Sequence, residues 1–135
     1  MKANLKNIFG LAALGMTLVT TTVPTWAGKV SPNNVIIVET PYFRTAGGNM
    51  VTARYSADPN QSIGCKTYTG AVSLTTCFAT DSAGKTLTCV TAENKFLDMV
   101  EAMTDSSYIH FETESGSGTG ICKDIYLYNG SDQLQ

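Results

Sequence analysis

The segment IGCKTYTGAVSLTTCFATDSAGKTLTCV, residues 63–90, decides the fold of this 135-residue chain. Val, Thr, Tyr and Phe gather there in three short runs separated by glycine-containing stretches, a pattern typical of neighbouring β-strands joined by tight turns. We predict turns at Gly70–Ala71 and around Ala83. The strands that these turns join are Ile63–Thr69, Ser73–Thr80 and Lys85–Val90.

Three cysteines in this segment test the predicted register. With those turns, Cys65 lies opposite Cys77, and Cys77 lies opposite Cys89. Because neighbouring strands are about 4.8 Å apart, the α-carbons of Cys65 and Cys89 would be about 9–10 Å apart, beyond the limit of about 7 Å for a disulfide. Two pairings stay open: Cys65–Cys77 with Cys89–Cys122, and Cys77–Cys89 with Cys65–Cys122. We favour the first, in which Cys89–Cys122 ties together the ends of a segment that contains a predicted helix.

The same cysteines do not form a recognisable metal or redox motif. Eleven, eleven and thirty-two residues separate them, no Cys-x-x-Cys pair occurs, and His110 is the only histidine. Zinc ribbons and thiol redox enzymes both depend on closely spaced ligands or thiols. We therefore predict two structural disulfides, no metal site and no cofactor.

The N-terminus has the features of an export signal. Lys2 and Lys6 precede an apolar run over Ile8–Val19. Thr25 and Ala27 then fit the small-residue pattern of a signal-peptide cleavage site. A membrane-spanning helix needs roughly 20 apolar residues, and this run is shorter. We predict a cleaved secretory signal peptide over residues 1–27 and a single small secreted domain over residues 28–135, with loose ends at Lys29–Asn34 and Asn129–Gln135. The protein is then secreted or periplasmic, with no membrane span after cleavage.

The charge balance disfavours nucleic acid as a partner. The whole chain has a net charge of −2, and removal of Lys2 and Lys6 with the signal makes it −4. The remaining basic residues are scattered, whereas phosphate recognition needs them clustered.

Outside the first segment, further short runs predict four more strands. Gly47–Gly48 lies between the first two of them and reads as a turn. The four predicted strands are Val35–Glu39, Met50–Tyr55, Tyr108–Glu114 and Ile121–Tyr128.

The stretch between Thr91 and Thr104 breaks the β pattern. Phe96, Val100 and Met103 recur there at the spacing of one helical face, with Thr91 as the predicted N-cap. We therefore predict an α+β fold: a mostly antiparallel sheet of six or seven short strands, one amphipathic helix packed on one face, and disulfide staples.

His110 is the one residue suited to acid–base catalysis at neutral pH. In the alternating run Tyr108–Glu114, His110 and Glu112 point to the same face, opposite Ile109. They form a candidate catalytic pair, for which Ser106 or Ser107 would supply a nucleophile. The same pattern is typical of an ordinary solvated strand face, which we favour, since no strained nucleophile turn is present.

Three tyrosines form a candidate binding surface. Tyr108, Tyr126 and Tyr128 would lie on the outer face of the last hairpin, if that hairpin turns at Ser117 and pairs Ile109 with Ile125. Exposed tyrosines suit recognition of sugars or proteins, because each combines a flat apolar ring with a hydroxyl. Ordinary cross-strand packing is the alternative.

Cysteines and turns recur in a definite layout within residues 50–130. The residues that form it are Gly64–Cys65, Cys77–Ala79, Asp81–Gly84, Cys89, Ser107–Phe111 and Gly120–Cys122. This layout resembles that of small exported bacterial proteins with two disulfides and no known function. The resemblance implies only a secreted, β-rich bacterial domain, and it carries no activity or site residue.

These features favour a secreted or periplasmic binding or interaction module without enzymatic activity. Its partner would be an extracellular or envelope protein or a glycan. Two alternatives stay open: a small secreted hydrolase that uses His110 and Glu112, and a structural component of an extracellular matrix or appendage.

Overall fold

The computed structural model describes residues 33–116 and 118–133. The predicted signal peptide and its cleavage site lie outside these residues. No helix in the described part of the chain is both long and apolar enough to cross a membrane. The elements in chain order are β1 (Ile36–Glu39), β2 (Phe43–Asn49), α1 (Met50–Arg54), β3 (Ser62–Tyr68), β4 (Leu74–Thr80), β5 (Thr86–Thr91), α2 (Asn94–Glu101), β6 (Tyr108–Glu114), β7 (Gly120–Tyr128) and a 3-10 turn (Ser131–Gln133).

Seven strands form one sheet in the order β1-β2-β6-β7-β5-β4-β3. Every neighbouring pair is antiparallel except β5 and β7, which are parallel. The predicted α+β class with a mostly antiparallel sheet is confirmed, and a second, shorter helix joins the predicted one.

The register of the deciding segment is confirmed. Cys65 pairs with Cys77 across β3 and β4, and Cys77 pairs with Cys89 across β4 and β5. The disulfides are Cys65–Cys77 and Cys89–Cys122, which is the pairing that we favoured. Both bridges lie on the inner face, where Cys77, Cys89 and Cys122 are completely buried or nearly so.

A narrow seam joins the two halves of the sheet. The parallel pairing of β5 with β7 includes only two residue pairs, Cys89 with Gly120 and Val90 with Ile121. The Cys89–Cys122 disulfide crosses this seam, with α-carbons 5.0 Å apart. A covalent bond therefore reinforces the place where the backbone ladder is shortest.

The core lies on the inner face of the sheet, under α2. The helix buries Phe96 and Val100, and it packs against β3, β4 and β7. Strands that are not neighbours in the sheet, β2 with β3 and β2 with β5, also approach each other, so the sheet curls around the core. Inner strand positions supply the other large buried side chains, which are Ile37, Ile63, Leu87, Ile109, Phe111 and Ile125.

The predicted strand over Met50–Tyr55 is wrong, because these residues form α1. Asn49 caps this helix: its side-chain oxygen accepts a hydrogen bond of 2.9 Å from the Thr52 backbone N–H. The predicted turn at Gly47–Gly48 is also wrong, since both glycines lie within β2. The chain passes directly from strand to helix at Asn49.

Two finer predictions are corrected as well. Thr91 ends β5 instead of capping α2: Glu93 occupies the N-cap position, and the Thr91 hydroxyl accepts a hydrogen bond from the Glu93 backbone N–H. Ile109 pairs with Leu127, not with Ile125. A β-bulge shifts the register there, since Glu112 pairs with Asp124 and Thr113 pairs with Cys122, leaving Lys123 as the extra residue.

Asn49 also holds both ends of the described chain. Its side-chain nitrogen donates to the Gln133 side-chain oxygen (2.9 Å) and to the Ser106 carbonyl (3.1 Å). Its backbone N–H donates to the Asn33 carbonyl at 2.9 Å. The predicted looseness of the ends therefore does not extend to Asn33 or to Gln133, which is buried.

A second polar network fixes the start of β1. The Gln61 side chain accepts a hydrogen bond from the Val35 backbone N–H at 2.8 Å and donates to the Asp58 carboxylate. Hydrogen bonds from Gln61 and Ser56 hold the pKa of Asp58 well below its usual range. The charged form of Asp58 is therefore the one that this network stabilises.

We expect the two disulfides to differ in their contribution to stability. The loop-closure model gives about 4 kcal/mol for the Cys89–Cys122 loop and about 3 kcal/mol for the Cys65–Cys77 loop. The double variant Cys89→Ala, Cys122→Ala should therefore lose more free energy of unfolding than Cys65→Ala, Cys77→Ala, as measured by urea denaturation. Equal losses, or the reverse order, would contradict the role of the seam bridge.

We expect Asp58→Asn to destabilise the protein in a pH-dependent way. Because folding lowers the pKa of Asp58, its contribution is complete above the ordinary aspartate pKa of about 3.9 and is lost as the pH falls below it. The difference in urea midpoint between wild type and Asp58→Asn should be largest at pH 5–7 and should shrink towards pH 2. A difference that is constant with pH would show that the charge has no part in it.

Candidate binding site

The face of the sheet opposite the core carries the candidate site residues. Directly paired residues form rows across β1, β2, β6 and β7, and one row consists of Ile36, Gly47, His110 and Tyr126. A neighbouring row consists of Val38, Thr45, Glu112 and Asp124. Ile36 is 62% exposed, Val38 47% and Tyr126 53%, so apolar and aromatic side chains face outward here.

Gly47 forms the floor of a groove on this face. A β-carbon at this position would lie 2.6 Å from the Tyr108 hydroxyl and 3.3 Å from a ring carbon of His110. Tyr108 therefore leans over the space that a larger residue would fill, and this packing of a ring over a strand glycine compensates for the missing side chain. On the other half of the sheet, the ring of Phe78 packs over Gly64, its direct partner on the neighbouring strand.

Two adjoining depressions make up the site, which we call the outer groove. The first has a volume of about 430 Å³, and the second, of about 270 Å³, shares Asn33 and Tyr108 with it. The lining of the first also includes Asn34, Ile36, Val38, Thr45, Gly47 and His110, and that of the second includes Tyr126, Tyr128 and Gln133.

The three predicted tyrosines do come together in the second depression. Tyr108 pairs directly with Tyr128 across β6 and β7, and Tyr126 lies two residues along β7 on the same face. The Tyr128 hydroxyl donates a hydrogen bond of 2.9 Å to Asp132. This bond and the negative charge of Asp132 raise the pKa of Tyr128, so the ring keeps its hydroxyl proton and a fixed orientation.

Buried hydrogen bonds position the polar end of the outer groove. The Asn49 backbone N–H holds the carbonyl of Asn33, and the Asn49 side chain holds Gln133. Gln133 in turn donates to Asp132, the residue that orients Tyr128. The amide and tyrosine groups of the site are therefore fixed to the end of β2.

The structure places His110 and Glu112 on the same outer face. Within residues 33–116 and 118–133, no hydrogen bond or ion pair links His110 or Glu112 to another side chain. Ser107 is buried, and its hydroxyl bonds to the Thr104 backbone N–H and to Asn129. That hydroxyl therefore has a structural role in the turn before β6.

Two parts of the outer groove are not predicted from the sequence: its wall on β1, formed by Ile36 and Val38, and its floor at Gly47. Ile36 and Val38 belong to the run Val35–Val38, in which apolar residues do not alternate with polar ones. Such a run predicts a strand that is apolar on both faces, and this signal could have marked an uncovered apolar surface. The role of Gly47 has no comparable signal, since a double glycine most often indicates a turn.

Comparison of the chain with protein-family models, with curated protein sequences and with solved structures finds no match. The function is therefore inferred from the site itself.

We expect two neighbouring glycine substitutions to differ in their cost. At Gly47 a new methyl group meets the free end of Tyr108, which can move, whereas at Gly48 it meets the Val35 backbone at 3.0 Å, which cannot move without shifting β1. Gly48→Ala should lower the free energy of unfolding by about 1–3 kcal/mol, and Gly47→Ala by less than about 1 kcal/mol. Urea denaturation of both variants tests this, and similar losses would contradict the proposed packing of β1.

Proposed function

We propose that the protein is a non-enzymatic binding module of the cell exterior or periplasm, and that the outer groove is its binding site. The observation that carries this proposal is a sheet face on which Ile36, Val38 and Tyr126 are exposed around the glycine floor. The helices pack elsewhere, against the core. Contiguous exposed apolar surface of this kind is typical of an interaction site.

The construction of the face supports binding. Most of its side chains come from paired positions on four strands. Of the amides outside the strands, Asn33 and Gln133 are held by hydrogen bonds to Asn49, so little conformational entropy is lost when a ligand binds. One disulfide cross-links β3 to β4 in the other half of the sheet, and the second ties β5 to β7, which carries part of the groove. The result is a pre-organised surface on a cross-linked scaffold, which suits a small protein outside the cytoplasm.

Two kinds of observation support the proposed location. Among the described cysteines none is free, and paired cysteines persist in oxidising compartments. The apolar run and small residues of the first 27 positions fit an export signal. We propose that the mature protein acts in the periplasm or outside the cell, on an envelope or extracellular partner.

The geometry favours binding over hydrolysis. A histidine base needs a partner that orients its ring, and among the described residues no hydrogen bond to His110 supplies one. His110 instead forms part of the groove wall beside Gly47. We propose that its ring contacts the ligand.

We expect the outer groove to retain material from the cells that make the protein. Immobilised wild type should bind components of the envelope fraction or culture fluid, and Tyr126→Ala, Tyr128→Ala should retain at least about ten-fold less, because aromatic anchors dominate such sites. Bound protein and bound carbohydrate are both quantified.

Tyr55→Ala, Tyr68→Ala is the matched control. Both residues are well exposed, at 74% and 66%, and neither lines the outer groove. This variant should retain as much material as wild type. If wild type retains nothing, or if the groove and control variants lose binding equally, the proposed function is wrong.

A further inference from the structure

We infer that the ligand of the outer groove is an uncharged glycan, bound as a single chain of sugar rings. This inference rests on the proposed function and specifies its ligand. Two properties of the groove carry it: the absence of charge in its lining, and the combination of amide groups with tyrosine rings.

The lining of the two depressions contains no carboxylate and no ammonium or guanidinium group among the described residues. A charged ligand that entered the groove would lose water without gaining a counter-charge, which is costly. The charges beside this lining are carboxylates. Asp132 is hydrogen-bonded to the lining residues Tyr128 and Gln133, and Glu112 and Asp124 lie one row away along the strands. They add repulsion against an acidic polysaccharide, so the site selects an uncharged one.

The polar groups that do line the groove suit hydroxyl-rich ligands. Asn33, Asn34 and Gln133 each carry an amide, which offers both donors and an acceptor. The side chains of Asn33 and Asn34 make no hydrogen bond to another residue of the described chain. Because a sugar hydroxyl also donates and accepts, such amides can satisfy it whichever way its proton points.

The tyrosines supply the complementary apolar contact. Tyr108 and Tyr128 are paired across the strands, and Tyr126 follows about 7 Å along β7 by strand geometry. A sugar ring presents C–H groups on its flat faces and hydroxyls around its edge. It can therefore stack on an exposed ring such as Tyr126 while its edge reaches the amides.

The test uses three fractions of a native extract of envelope and culture fluid. Protease-treated polysaccharide is divided by anion exchange into a neutral and an acidic fraction, and the third fraction is protein whose glycans have been destroyed with periodate. Each fraction is passed over immobilised wild type, Tyr126→Ala and Tyr55→Ala. We expect wild type and Tyr55→Ala to retain the neutral polysaccharide, and Tyr126→Ala to retain about ten-fold less.

The possible outcomes distinguish the proposed ligand class from the proposed binding function. Retention of the acidic polysaccharide or of the protein fraction in a Tyr126-dependent manner, without the neutral one, overturns the ligand class and leaves the binding module in place. Retention of none of the three fractions overturns both. Gly47→Val, whose side chain would displace the Tyr108 ring and crowd His110 in the groove lining, serves as a second variant. It should also lose the neutral polysaccharide, and full retention by a folded Gly47→Val protein overturns the proposed position of the ligand.

Discussion

At the end of β2, the fully buried side chain of Asn49 joins four parts of the chain: the first turn of α1, the turn before β6, the C-terminal turn and, through its backbone, Asn33. A buried carboxamide with this many partners is costly to replace, because each abandoned partner would be left unsatisfied. The polar end of the outer groove depends on it, since Asn33 and Gln133 both take their positions from Asn49. The buried residue Asn49 therefore determines the arrangement of the polar end of the exposed groove.

The two faces of the sheet have different physical tasks. The inner face carries both disulfides and the apolar side chains that α2 covers, so it supplies stability. The outer face contributes little to the core. The strands fix the positions of its exposed rings and aliphatic side chains, which take little part in the core. The Tyr108 side chain packs closely over Gly47 on this face.

How much the sequence predicts depends on whether local pattern or distant contact decides an element. The cysteine register is predictable because two short turns fix it, and Cys65 then meets Cys77 whatever the rest of the chain does. The helix over Met50–Arg54 is not predictable in this way, because Met-Val-Thr has no helical pattern. Its N-cap, Asn49, is held in position by a hydrogen bond to Gln133, which lies far along the chain. The tyrosine face is predictable by alternation, but the bulge at Lys123 and the β1 wall depend on how strands meet in space.

The seam between β5 and β7 has a mechanical consequence. The groove lies on β1, β2, β6 and β7, whereas β3, β4 and β5 form the other half of the sheet. Under the proposed function, a pull on the bound ligand would reach the rest of the domain across this seam, and the hydrogen bonds of two residue pairs would yield early under such tension. The Cys89–Cys122 bond carries that load covalently from one half to the other. In a reducing medium this covalent link is lost, and the ladder between the two halves then consists of two residue pairs alone.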